Sequence, residues 1–119
     1  MYSTLRYTLE SNGTTYENDS LQASLFVDLI TNLDVQDYIV LEPSEPIEGS
    51  IYMQMAALEQ DGQMVAEIRF INNQMKNGFQ HYSYTTSDRT IMIRYILDYW
   101  GHQRLPNLEA WQDVTDEFT

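Results

Sequence analysis

The stretch from Ile51 to Ile71 constrains this chain more than any other. Two β-rich runs, Ile51 to Leu58 and Met64 to Ile71, flank Gln60-Asp61-Gly62-Gln63. Asp-Gly between alternating runs signals a hairpin, because a type I′ turn needs positive φ at both central residues. With Asp61-Gly62 as a two-residue loop, Gln60 faces Gln63, Leu58 faces Val65, Met55 faces Ile68 and Met53 faces Phe70. One face then holds Ile51, Met53, Met55, Ala57, Ala66, Ile68 and Phe70, which makes it a core face. The other holds Tyr52, Gln54, Ala56, Glu67, Arg69 and Ile71, with Gln54 opposite Arg69 and Ala56 opposite Glu67. A slip of one residue would turn every side chain to the wrong side. The agreement of two separately read strands therefore favours this pairing.

The remaining pattern supplies the partners of that hairpin. Thr4 to Glu10 alternates as a strand, with Leu5, Tyr7 and Leu9 on one side, and Asn12-Gly13 ends it. Leu21, Leu25, Phe26, Leu29, Ile30 and Leu33 recur at helical spacing, with Asp19 as N-cap and Gln22 completing a capping box. Tyr38 to Leu41 is a short strand closed by Pro43, and Pro43 to Gly49 reads as an extended loop. Phe79 to Thr85 is a third consecutive hairpin-linked strand. A second helix runs from Asp88 to Trp100, capped by Thr86 or Ser87, with Gly101 at the position after its end. Trp111 to Val114 reads as a short edge strand or an irregular segment that packs Trp111. The expectation is one α+β domain over residues 1–119. Its mostly antiparallel sheet has about five strands, in β-α-β-β-β-β-α order, with two helices packed on one face.

Composition narrows the function. Eighteen Asp and Glu against six Lys and Arg give a formal charge of -12. Such a chain repels nucleic acid and anionic membrane, so direct binding to either is not expected, and a basic partner fits better. With fifteen aromatic residues, nine Tyr, four Phe and two Trp, the chain reads as folded and not as an acidic disordered tail. The absence of Cys removes disulfides, thiol catalysis and Cys-ligated zinc. No run approaches the roughly 20 apolar residues of a membrane span, and Met1 to Arg6 does not resemble a secretory leader. A soluble cytoplasmic protein is expected.

The acids are unevenly spread. No Lys or Arg occurs from Tyr7 to Ile68, and residues 1–60 carry a net -9 against -3 for residues 61–119. A solubility coat is one reading of that excess. Electrostatic steering toward a basic partner is the other.

Chemical motifs are few. No phosphate-binding glycine loop, GxSxG or HExxH spacing occurs. Lys76, the one lysine, lies in a loop setting that does not favour Schiff-base chemistry. With two His and no DxDxDG spacing, neither a metal site nor a cofactor is expected. Glu67, Arg69 and His81 could meet on one sheet face beside Gln54 and Tyr52. A solvated face of cross-strand pairs is the plainer reading of that group. Acid–base work on an anionic substrate is a second reading, and a protein-binding face a third. Tyr82 and Tyr84, if they point outward, would suit a binding patch.

Residues 51 to 114 resemble the small bacterial immunity proteins of polymorphic-toxin and contact-dependent competition systems. The likeness rests on Ile51-Tyr52-Met53-Gln54, Ala66-Glu67-Ile68-Arg69, Gln80-His81-Tyr82, the closing helix with Tyr99, and Trp111-Gln112-Asp113-Val114. It implies a cytoplasmic inhibitor that acts by binding a cognate toxin, and it carries over no catalytic residue. The expected function is thus a non-enzymatic acidic module that blocks a basic toxin. Its candidate contact residues are Glu42, Glu45, Glu48, Gln54, Glu59, Asp61, Glu67, Arg69, His81 and Tyr82. The alternatives are a phage-type nucleic-acid mimic that inhibits a host nuclease, and a small enzyme using Glu67, Arg69 and His81.

Overall fold

Tight turns at residues with positive φ set the strand connections. The structure, a computed structural model, describes residues 5–60 and 62–118. At Asn12 and Gly13 the φ values are 51° and 90°, the I′ pattern. That two-residue loop joins β1 (Tyr7–Ser11) to β2 (Thr14–Tyr16). The sequence marked Asn12-Gly13 as an end and did not anticipate β2. Glu48 and Gly49 repeat the geometry, with φ of 49° and 91°. Ile47 and Ser50 exchange backbone hydrogen bonds of 2.9 Å across them. The expected extended loop is therefore a hairpin joining β3 (Tyr38–Pro43) to β4 (Ser50–Ala57).

The hairpin read most readily from the sequence forms, but with a wider loop. The Leu58 N–H donates to the Gln63 carbonyl at 2.9 Å, and the Gln63 N–H to the Gln60 carbonyl at 3.0 Å. Residues 59–62 thus form the connection, within which Asp61 lies outside the described residues. Strand β5 (Met64–Ile71) is displaced by two residues from the expected register. Met53 faces Ile68, Met55 faces Ala66, Gln54 faces Glu67 and Tyr52 faces Arg69. A shift of two keeps every side chain on its face, so the core assignment of Met53, Met55, Ala57, Ala66, Ile68 and Phe70 stands with changed partners, whereas Ile51 is not part of the core cluster. The narrow loop would have set Glu59 opposite Met64 on the core side. The wider one leaves Glu59 exposed and pairs fully buried Met64 with Ala57. Near its start β4 carries a bulge, with Ser50 and not Ile51 opposite Phe70.

Strand β6 (Phe79–Thr86) and the two-residue β7 (Gln112–Asp113) complete the sheet. The order is β2-β1-β3-β4-β5-β6-β7, antiparallel at each step. The class is α+β with an antiparallel sheet, as expected. Among the described residues the strands number seven instead of five, because β2 and β7 extend the two edges.

Helices α1 (Ala23–Thr31) and α2 (Arg89–His102) share a core with one sheet face. Phe26 and Ile30 of α1 and Met92, Ile96 and Tyr99 of α2 pack with Leu9, Leu41, Met53, Met55 and Ile68, all fully or nearly fully buried. Phe26 and Trp100 join the helices at 5.1 Å between ring centroids. The Nη1 of Arg89 donates to the Ile30 carbonyl at 2.6 Å, which satisfies the open end of α1.

Helix α1 begins at Ala23 with Gln22 at its N-cap and no side-chain cap bond. Asp19 lies in a preceding 3-10 turn and pairs with Arg6 at 3.3 Å, so the expected capping box does not form. On α2 the cap is Asp88, whose carboxylate accepts the Thr90 N–H at 2.9 Å. The helix continues through Gly101, and the left-handed residue that ends it is Gln103, with φ of 49°.

Candidate functional site

The helices leave the other sheet face uncovered by helix, and the expected polar group assembles there. Arg69 and His81 are directly opposite on β5 and β6, and Gln54 is opposite Glu67 on β4 and β5. The Arg69 Nε–H donates to His81 Nδ1 at 3.1 Å. His81 Nε2 lies 2.8 Å from Glu67 Oε2, and Gln54 Nε2 donates to Glu67 Oε1 at 2.8 Å. With Nδ1 accepting, the ring proton sits on Nε2 and is donated to the carboxylate. The hydrogen bond from His81 holds Glu67 below the usual carboxylate range, against the upward effect of burial.

A strap formed by the C-terminal residues closes this group. The Val114 N–H donates to the His81 carbonyl at 2.8 Å, and the His81 N–H donates to Thr115 Oγ1 at 2.9 Å. Thr115 bonds in turn to Asp113 through both its hydroxyl and its N–H, which holds the Asp113 carboxyl low. A 3-10 turn, Thr115–Phe118, then lays the Phe118 ring 4.3 Å from the His81 ring. His81 is left with no exposed surface.

Arg69 sits among aromatic rings. Its guanidinium carbon lies 4.0 Å from the Phe79 ring centroid, 5.0 Å from Phe118 and 5.9 Å from Tyr52. Beside Phe79 a cavity of about 510 Å³ opens between the β5–β6 loop and the strap, lined by Met75, Lys76, Asn77, Phe79, Thr115 and Asp116. Among the described residues, no cluster of three His, Asp or Glu has the arrangement of a metal site. Nor is any helix there long and apolar enough to cross a membrane.

The other sequence-predicted contacts are dispersed. Glu42 is exposed on β3, and its charge, with that of Glu67, adds to the burial that pushes the Tyr52 hydroxyl up. Glu45 and Glu48 are exposed at the β3–β4 turn, whereas exposed Glu59 lies past the far end of β4. At about 3.3 Å per residue, the length of β4 separates those two groups by roughly 25 Å. Asp61 lies outside the described residues. His81, expected on a partner-facing surface, is closed off by the strap.

Tyr82 and Tyr84 also depart from expectation, because strand alternation turns them inward when His81 faces outward. Tyr82 meets Phe70 edge-on at 5.7 Å, and Tyr84 stacks on Trp111 at 5.6 Å. Trp111 is 7% exposed, and its buried Nε1 has no hydrogen-bond partner among the described residues.

Sequence reasoning missed Phe79, Thr115 and Phe118 as parts of the site. Phe79 was detectable, since it shares the parity of His81. Thr115 and Phe118 belong to a segment with no periodicity that would place it. Comparison with known proteins finds no family model, no curated protein and no solved structure that matches the chain.

Proposed function

We propose that this chain is a non-enzymatic protein-binding module, an acidic inhibitor of the immunity type that docks on a basic toxin in the cytoplasm. The observation that carries this reading is how the charges are deployed. Glu42, Glu45, Glu48 and Glu59 are exposed, and no Lys or Arg interrupts the chain from Tyr7 to Ile68. Two of the arginines are held against the protein's own groups instead. Arg89 caps α1 through its backbone carbonyls, and Arg69 is stacked among rings. The surface field is therefore strongly negative and suits a cationic partner, such as a toxin that grips phosphates.

The closed state of His81 supports binding over catalysis. A general base needs a ring nitrogen within reach of substrate, and both nitrogens here are engaged by Arg69 and Glu67.

The test starts from the partner captured from the source cell. Reversing Glu45 and Glu48 to Lys is expected to slow association about tenfold at low salt and to weaken its salt dependence. Association rates equal to those of the parent protein would sink the steering idea.

A further inference from the structure

Arg69 is the cation that the outer face holds ready. Its Nε–H is taken by His81, and among the described residues that is the one hydrogen bond its side chain makes. Both Nη groups are thus left without an acceptor among those residues. The side chain is half-buried and braced by Phe79, Phe118 and Tyr52, so little freedom remains to be lost when a ligand binds. Glu67, the nearest carboxylate on its strand, is already committed to His81 and Gln54. Two of the four large apolar side chains exposed on the described surface, Ile71 at 48% and Phe118 at 46%, lie beside it. An oriented guanidinium ringed by aromatic and aliphatic surface is the composition of an interface hot spot.

We propose that Arg69, with Phe79 and Phe118, is the anchor of the docking surface and receives a carboxylate side chain from a basic protein partner. The inference rests on reading the chain as a protein-binding module. The free ends of the guanidinium match a carboxylate in a two-point contact. The exposed Glu42 beside Tyr52, and the further exposed acids Glu45 and Glu48, match cations around that carboxylate. A free anion would be repelled by a chain of charge -12, so the carboxylate must arrive embedded in a cationic surface.

A displayed library of random dodecapeptides, selected on the full chain, tests this. The expected winners are cationic peptides that contain one Asp or Glu. Changing that acid to its amide should weaken binding at least about tenfold while leaving this protein untouched. Arg69→Ala should weaken binding by a similar factor. Arg69→Lys should recover little of it, because an ammonium lacks the planar fork. Phe118→Ala, which removes an exposed side chain, supplies a second variant if Arg69→Ala unfolds. Peptides that bind equally well as amides, or equally well to folded Arg69→Lys, overturn the anchor, as does a library that yields no binder. If the winners are cationic but acid-free, and are lost on Glu45→Lys with Glu48→Lys, the anchor fails and the basic-partner reading stands. Binders indifferent to all of these changes defeat both.

Discussion

Arg69 donates its Nε–H to Nδ1 of His81, the residue directly opposite it on the neighbouring strand, at 3.1 Å. One bond thereby decides where the imidazole proton sits. Nitrogen-resolved NMR should find the Nε2–H tautomer of the His81 imidazole. An Nδ1–H form would contradict the arrangement. His81→Ala should cost about 2–4 kcal/mol in chemical denaturation, since it opens a void and leaves the partly buried Glu67 short of a donor.

Glu67 ties that cluster to acid. Its folded-state pKa is lowered, chiefly by the hydrogen bond from His81. The folded protein therefore takes up this proton less readily than the unfolded chain. The stabilisation is present above the ordinary value of 4.5 and is lost as pH falls through the folded value. Glu67→Gln should flatten the acid limb of a denaturation midpoint plotted between about pH 5 and pH 3. Asp113, lowered by its bonds to Thr115, titrates in the same direction, so some slope should survive the substitution.

Tyr99 makes the largest contribution to the alkaline limb, to which Tyr7 and Tyr52, also raised by burial, add. Burial pushes the Tyr99 hydroxyl up to about 12 from 10.0. The sign is opposite in pH: stability is intact below 10 and declines as pH rises toward the folded value. The Tyr99 hydroxyl donates to Ser50 Oγ at 2.9 Å, and Ser50 passes its own proton to the Ile47 carbonyl at 2.6 Å. Tyr99→Phe should make this alkaline loss shallower while leaving the Ser50 bond to the turn in place. A variant that loses stability above pH 10 as steeply as the parent would show that another group is responsible.

A fourth expectation concerns Glu48, which occupies the first positive-φ position of an I′ turn at 49°. Asn is preferred there, and this chain uses it in the equivalent place, Asn12. Glu48→Asn should raise stability by about 0.5–1 kcal/mol, read as a shift in thermal midpoint. If the acidic surface steers a basic partner, the same variant should also associate more slowly.

What could be read from the sequence followed from period-two alternation. It assigned Met53, Met55, Ala66 and Ile68 to the core, and it set Glu67, Arg69 and Gln54 on the opposite face. Alternation says nothing about loop length, so it does not separate two registers that differ by two residues and keep the same faces; the burial cost of Glu59 favours the wider loop. Parity would also have turned Tyr82 inward once His81 was placed outward. Before the strand is tied to its neighbour, nothing in its own sequence says which of the two faces out. The strap was not legible at all. Thr115 and Phe118 are placed by long-range bonds to β6, and short segments held only by such contacts carry no local pattern. The same limit hid the Glu48–Gly49 turn, whose left-handed Glu is set by the hairpin that encloses it.

The strand order has a kinetic consequence. Only β1 and β3, and β6 and β7, pair across an intervening helix or strand; the other sheet neighbours are successive strands joined by short connections. Most of the sheet can therefore grow outward from the β4–β5 hairpin without closing a large loop first. Chains built from near-neighbour contacts fold faster than sheets of distant pairings, within roughly milliseconds instead of seconds. The β7 pairing and the strap close one of the two long loops, so the His81 cluster should be among the last parts of the molecule to lose its water.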